Sequence, residues 1–293
     1  MKRLILTSFT AAVAFTQITN ADAGIKFSRN HVNYKTTKQK QIVVAVIDTG
    51  IDPELMKHNS LCKEGHKDFT GTGLVDRHGH GTHISGIIDQ YAKNHIFTFK
   101  KSPSLIDNVK NNYCQIIIKY YNPKASDEDN LNNSILSFRW AIDHNVDVIN
   151  YSGGGTFFSE EEKSVVVEAL NKGIKIIAAA GNESANLSED SCKKIKNIKD
   201  RIICIYSRSS DIKYSKYYPA MYDKRIYIVG NLVKKDSRSI ANTSNYGEPV
   251  NTWEVGTNVL SRLPGKSFGF MTGTSQATAV KTGKIVREML LNK

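Results

Sequence analysis

The chain has 293 residues, 40 % of them apolar and 23 % charged, a balance that excludes disorder and suffices for one large α/β domain or two small ones. Lys and Arg total 40 against 28 Asp and Glu, a net charge of +12. The lysines concentrate in 193–216 and 224–238 with no interleaved stacking or groove-reading module, so they read as solvated faces and nucleic acid is not an expected partner.

In chain order, Met1-Lys2-Arg3 is followed by a mostly apolar stretch from Leu4 to Phe15 and by Ala21-Asp22-Ala23, which has the small-x-small form of a signal-peptidase site. Residues 1–23 are therefore expected to be a secretion signal, and the mature protein to be secreted or periplasmic. No later apolar stretch is long enough to span a bilayer, so no membrane span is expected. The four cysteines, Cys62, Cys114, Cys192 and Cys204, suit an oxidising compartment. Three connectivities exist, of which Cys192 with Cys204 is the most local. Their scattered spacing argues against zinc.

Gln41 to Ile47 reads as a buried strand rich in β-branched residues, closed by Gly50, with Asp48 of the Asp-Thr-Gly-Ile run at its end. Helical spacing runs from His80 through Ile84, Ile87, Ile88 and Tyr91, and Cys114 to Tyr120 is a second apolar strand. Asp129 is placed as the cap of a helix whose Leu131, Ile135, Phe138 and Ile142 form one stripe and which Asn145 ends. Then come a strand at Val146–Tyr151 running into Ser152-Gly153-Gly154-Gly155, a helix at Val165–Asn171, and a strand at Ile174–Ala180 running into Gly181-Asn182. Residues 183–216 read as an inserted surface segment, and Ser275 to Leu291 as a long helix with Ala279, Gly283, Val286 and Leu290 on one stripe.

No repeat and no clear linker interrupts residues 24–293, which are expected to form one domain. Strands alternating with helices predict a three-layer α/β fold, a mostly parallel sheet with helices on both faces. Ligands of such sheets bind beyond the carboxyl ends of the strands, where Asp48, Ser152 to Gly155 and Gly181-Asn182 all fall.

Three spaced runs then supply an acid, a base and a nucleophile: Asp48-Thr49-Gly50-Ile51, His80-Gly81-Thr82-His83 and Gly273-Thr274-Ser275. Each alone has a plainer reading. Gly-Thr-Ser is a common turn; Asp48 suits a cap after a strand; Asn182 suits the turn after Gly181. Asp-Thr-Gly also marks aspartic proteases, but those need two facing carboxylates and the chain has one copy. His78, His80 and His83 lack the His-x-x-x-His spacing and general-base Glu of a metal protease, so no metal site is assigned. Asp127, Glu128, Asp129 and Asn130 offer calcium hard oxygen ligands, but a solvated helix start is the preferred reading.

Together these residues resemble the subtilisin-like serine proteases, the subtilase family, over Gln41 to about Gly283. The match extends to Val148-Ile149-Asn150-Tyr151-Ser152-Gly153-Gly154, Ala179-Ala180-Gly181-Asn182, Tyr218-Pro219-Ala220 and Ser244-Asn245-Tyr246-Gly247. The resemblance implies a serine endopeptidase in which Ser275 is the nucleophile, His80 the base and Asp48 its orienting acid, with Asn182 and the Ser275 N–H holding the oxyanion. It implies that Ser152, Gly153, Gly154, Ala179, Ala180 and Gly181 bind an extended peptide as an added strand.

A peptide or protein substrate is the implied partner, a monomer the expected state, and no cofactor is needed for the chemistry; a structural calcium ion remains open. The family usually has Pro four residues after the nucleophile, where this chain has Ala279, and an apolar residue six after it, where this chain has Lys281. Trp253-Glu254-Val255-Gly256 stands where Ala-Pro-Gly is frequent, and Gly24 to Lys40 is shorter than a folding-assistant propeptide. These departures motivate one alternative, an inactive pseudoprotease binding extended peptides in the same cleft.

Overall fold

A computed structural model describes residues 40–57, 60–93, 112–189, 193, 196–199, 213–235 and 239–292. The apolar run at Ile42 forms β1 (Ile42–Asp48), whose side chains alternate between two cores: Ala45 and Ile47 enter one, Ile42, Val44 and Val46 the other. Burial on both faces is why this strand reads as a continuous apolar run. It pairs in parallel with β3 (Tyr113–Lys119) on one side and β4 (Val148–Tyr151) on the other. The seven-stranded sheet runs β2 (Lys67–Asp68), β3, β1, β4, β5 (Lys175–Ala179), β6 (Tyr227–Leu232), β7 (Thr252–Val255), every pair parallel.

Helices cover both faces, as predicted. On one, α1 (His80–Ala92) and α4 (Thr274–Leu291) supply Ile84, Ile87, Ile88, Ala277, Val280 and Val286. On the other, α2 (Asp127–Asp143) and α3 (Glu160–Asn171) supply Phe138, Ala141, Ile142, Val165, Val166 and Ala169. Gly283 lets α4 approach α1: a Cβ there would sit 2.6 Å from Tyr91 Cβ and 2.8 Å from Ile88 O. A second sheet, β8 (Val259–Leu263) with β9 (Ser267–Met271), is antiparallel and leads into α4.

Several expectations shift. Asp129 does not cap α2; Ser126 does, accepting the Asp129 N–H at 3.0 Å while the Asp129 carboxylate accepts from Ser126, a capping box with Asp129 as its second member. The acidic run therefore forms the first turn of α2, where it faces the positive helix end. The 183–216 segment is not surface at its leading end: Ala185 and Leu187 are fully buried, and Asn186 bridges to both Tyr214 and Tyr246. Most of its remainder, with Cys192 and Cys204, lies outside the described residues, as does the expected signal at 1–23. A disulfide joins Cys62 to Cys114, tying the chain before β2 to β3. Five strands, β2 and β6 to β9, fall where patterning predicts no element.

Candidate active site

Asp48 is the last residue of β1 and 2 % exposed. Its Oδ1 accepts the Thr49 N–H at 2.7 Å and lies 2.7 Å from His80 Nδ1, so the Nδ1–H donates to the carboxylate and Nε2 is left for other chemistry. His80 opens α1 directly after Gly79, which takes the left-handed φ of 90°. Burial alone pushes the His80 imidazole below 6.5, but the charge and hydrogen bond of Asp48, and then the charge of Asp76, outweigh it and hold the group above that value.

Asp76 is a residue sequence reasoning did not single out. It is 2 % exposed, and its Oδ1 accepts from Thr49 Oγ1, Gly79 N and His78 N while its Oδ2 accepts from Thr82 N and Thr82 Oγ1. Thr49 Oγ1 in turn accepts the Gly81 N–H at 2.9 Å. One buried carboxylate thus stitches the turn after β1 to the first turn of α1, fixing Asp48 against His80. Its position four residues before His80 was the available signal.

Ser275 lies in the first turn of α4, 9 % exposed. Ser275 is tied to Ser152, just past β4, and His80 to Asp48 at the end of β1; β1 and β4 are adjacent parallel strands with Ile47 level with Tyr151, so His80 and Ser275 share the carboxyl edge of the sheet. The Ser275 hydroxyl donates to Ser152 O at 2.7 Å, and Ser152 Oγ donates to Ser275 O at 3.1 Å. Asn182 is exposed, and its Oδ1 accepts from Thr274 N at 2.9 Å and Thr274 Oγ1 at 3.2 Å, which leaves the Nδ2 donor beside the helix start. The turn carrying it is clasped by Asn245, fully buried, whose Oδ1 accepts from Glu183 N and Ala185 N and whose Nδ2 donates to Ala180 O and Glu183 Oε2.

Of the expected cleft residues, Ser152, Gly153 and Gly154 follow β4 and Gly181 follows β5; Ser152 is hydrogen-bonded to Ser275, and the Gly181 N–H donates to Thr274 Oγ1 at 3.2 Å. Ala179 ends β5 and Ala180 follows it, 2 % and 0 % exposed, and the Ala180 N–H donates to Val229 O while its carbonyl accepts from Asn245. Ala279 is fully buried in an uninterrupted α4, and Lys281 is half-exposed with its ammonium 5.6 Å from the Tyr227 ring centre. Neither departure disturbs the helix that carries Ser275. Among the described residues no group of three or more His, Cys, Asp or Glu side chains is arranged to hold a metal ion, and no helix is long and apolar enough to cross a membrane.

Residues 39–288 match the model of the subtilase family. The chain is 28 % identical over 259 residues to the major intracellular serine protease of Bacillus subtilis (strain 168), a match covering 86 % of this chain and 69 % of that one. It is 31 % identical over 240 residues to subtilisin amylosacchariticus of Bacillus subtilis subsp. amylosacchariticus, covering 81 % of this chain and 52 % of that relative, so it spans about half the length of the latter. The crystal structure of a cold adapted subtilisin-like serine proteinase superposes with a TM-score of 0.58 at 22 % identity, covering 87 % of this chain and 77 % of that one, a likeness of fold.

Proposed function

The chain belongs to the subtilase family, and from that premise we propose that it is a serine endopeptidase that works through an acyl-enzyme on Ser275. The observation that carries the reading is the Asp48–His80 contact at 2.7 Å on the edge where Ser275 opens α4. An extended peptide laid along Ser152 to Gly154 donates a backbone N–H to Ser152 O, the acceptor that now holds the Ser275 hydroxyl. The freed hydroxyl turns to His80 Nε2. As Oγ bonds to the scissile carbon, its proton passes to Nε2 and the carbonyl electron pair moves onto oxygen, giving an imidazolium beside Asp48 and an oxyanion.

That oxyanion is held by Asn182 Nδ2 and the Ser275 N–H, one of the unpaired donors at the start of a helix. Collapse breaks the C–N bond, and Nε2 gives its proton to the leaving amine. Water, deprotonated by the same imidazole, then releases the acid and restores the Ser275 hydroxyl. Every group in this sequence belongs to the chain itself. The Cys62–Cys114 disulfide supports export to an oxidising compartment.

The test is turnover of an unstructured protein substrate by the purified protein and by Ser275→Ala. Cleavage by the parent, lost in a folded Ser275→Ala variant, is expected; binding of extended peptides without any turnover by the parent would instead favour the non-enzymatic reading.

A further inference from the structure

The two arms that bear the proposed chemistry, Ser152 to Gly155 after β4 and Gly181-Asn182 after β5, flank a gap, and a tyrosine ring fills it. A Cβ on Gly154 would meet Tyr217 Cε1 at 2.5 Å, and a Cβ on Gly181 would meet Tyr217 Cε2 at 2.8 Å. Opposite edges of one ring therefore press on opposite arms. Gly154 and Gly181 have φ of +144° and +99°, so both positions require glycine for conformation as well as for space.

The ring is not free to swing aside. Tyr217 is 8 % exposed and belongs to the main core on that face of the sheet. Its neighbour Tyr218 is held to the first arm by a reciprocal pair of backbone hydrogen bonds with Gly155, at 2.8 and 2.9 Å, and the Tyr217 N–H donates to Met221 Sδ. These bonds fix the main chain that carries the ring, and moving the ring itself means withdrawing a buried aromatic surface from that core.

This gap has a definite place in the reaction proposed above, on which the inference rests. With the scissile carbon on Ser275 Oγ and its oxygen at Asn182, the side chain of the residue that owns that carbonyl points between the arms carrying Ser152 and Asn182. We infer that Tyr217 is the specificity-determining residue of this protein: its ring closes that space, so the residue immediately N-terminal to the cut bond must be glycine, alanine or serine. A larger side chain overpacks the site against an immobile ring, and close-packed interiors tolerate added methylenes poorly.

The test profiles cleavage of a peptide library varied only at that residue, with the parent, Tyr217→Gly and Tyr217→Phe, alongside fluorophosphonate labelling of each. For the parent, kcat/KM with alanine should exceed that with phenylalanine or leucine by at least ~10-fold. Tyr217→Gly should raise the ratio of the phenylalanine and leucine values to the alanine value at least ~10-fold, and Tyr217→Phe, which keeps the ring, should retain the parent profile. A parent that labels at Ser275 and cleaves as well after phenylalanine or leucine as after alanine overturns the inference alone, whether or not either variant folds. A folded parent that neither labels nor cleaves removes the proposed function and the inference with it.

Discussion

Replacing Asp76 by Asn removes one negative charge and one acceptor oxygen while keeping the size of the side chain, which makes it the sharpest probe of how Asp48 and His80 are held. An asparagine that keeps its carbonyl at the Oδ1 position still accepts from Thr49 Oγ1, His78 N and Gly79 N. Its NH2 group then faces Thr82 N and Thr82 Oγ1, which now donate to Oδ2 at 2.8 and 2.7 Å. Thr82 Oγ1, which already accepts the Asp52 N–H at 3.1 Å, can take a second donor only by turning its own hydrogen away, and the buried Thr82 N–H has no acceptor left. The reverse amide orientation strands three donors instead of two and is worse.

Hydrogen bonds to a charged group contribute about 1.5–3 kcal/mol each, so losing two, with one partly recovered, costs about 3 kcal/mol. For a domain of this size that lowers Tm by ~6–12 °C. The second readout concerns His80, which faces Asp48 from β1, Asp76 from the loop before α1, the His78 ring at 6.1 Å and, from α1 itself, His83. Removing Asp76 removes charge that favours the imidazolium, so the pH midpoint of fluorophosphonate labelling should move down. Thermal melts at neutral pH and labelling rates across pH read the two effects separately. A variant melting within ~2 °C of the parent, or one whose labelling midpoint stays where it was, refutes the reasoning.

His80 itself sets a pH dependence of known sign. Its folded value lies above 6.5, so the stabilisation from the charged imidazole is fully present below that pH and fades as pH rises through the folded value. Activity runs the other way, because the base must be neutral; labelling should reach half its maximum above pH ~6.5, and a midpoint below that contradicts the assignment. Asn182→Ala should lower turnover ~10²- to 10³-fold with KM little changed, a range measured on subtilisin itself and not worked from this chain; a loss under ~3-fold would show that Asn182 does not hold the oxyanion. Asn245→Ala strands the Glu183 and Ala185 N–H groups and Ala180 O, and should cost about 2–4 kcal/mol by denaturant titration while also slowing turnover through a loosened Asn182 turn. Unchanged stability would mean the clasp is not formed in solution.

The strands legible in the sequence share one physical trait: their side chains are buried on both faces, so composition alone marks them. β1, β3 and β5 are apolar runs because helices cover both sides of the sheet, and Gly50 and Gly181 end them where the chemistry sits. β7 to β9 were not legible because they are only half-covered. Every residue of β7 is partly exposed, and Phe268 and Phe270 of β9 stand 50 % and 68 % exposed, so polar alternation points to no buried face.

The Asp48, His80 and Ser275 runs were readable from spacing, whereas the groups that hold them were not. A buried carboxylate such as Asp76 looks in sequence like any surface aspartate, and its role appears only when five donors from the turn after β1, the loop before α1 and the first turn of α1 converge on it. Tyr217 is hidden for a related reason. Small residues at Ser152 to Gly154 and Gly181 suggest an open cleft, and the ring that fills it arrives from a segment distant in sequence.

A Ser275 hydroxyl activated by His80 reacts with phosphonylating reagents as ordinary serines do not, so covalent labelling distinguishes it. Treated at neutral pH with a fluorophosphonate and digested for mass spectrometry, the folded protein should carry the adduct on Ser275, with labelling absent in Ser275→Ala and strongly slowed in His80→Ala. A folded protein that takes no label, or takes it on another serine, would contradict the account.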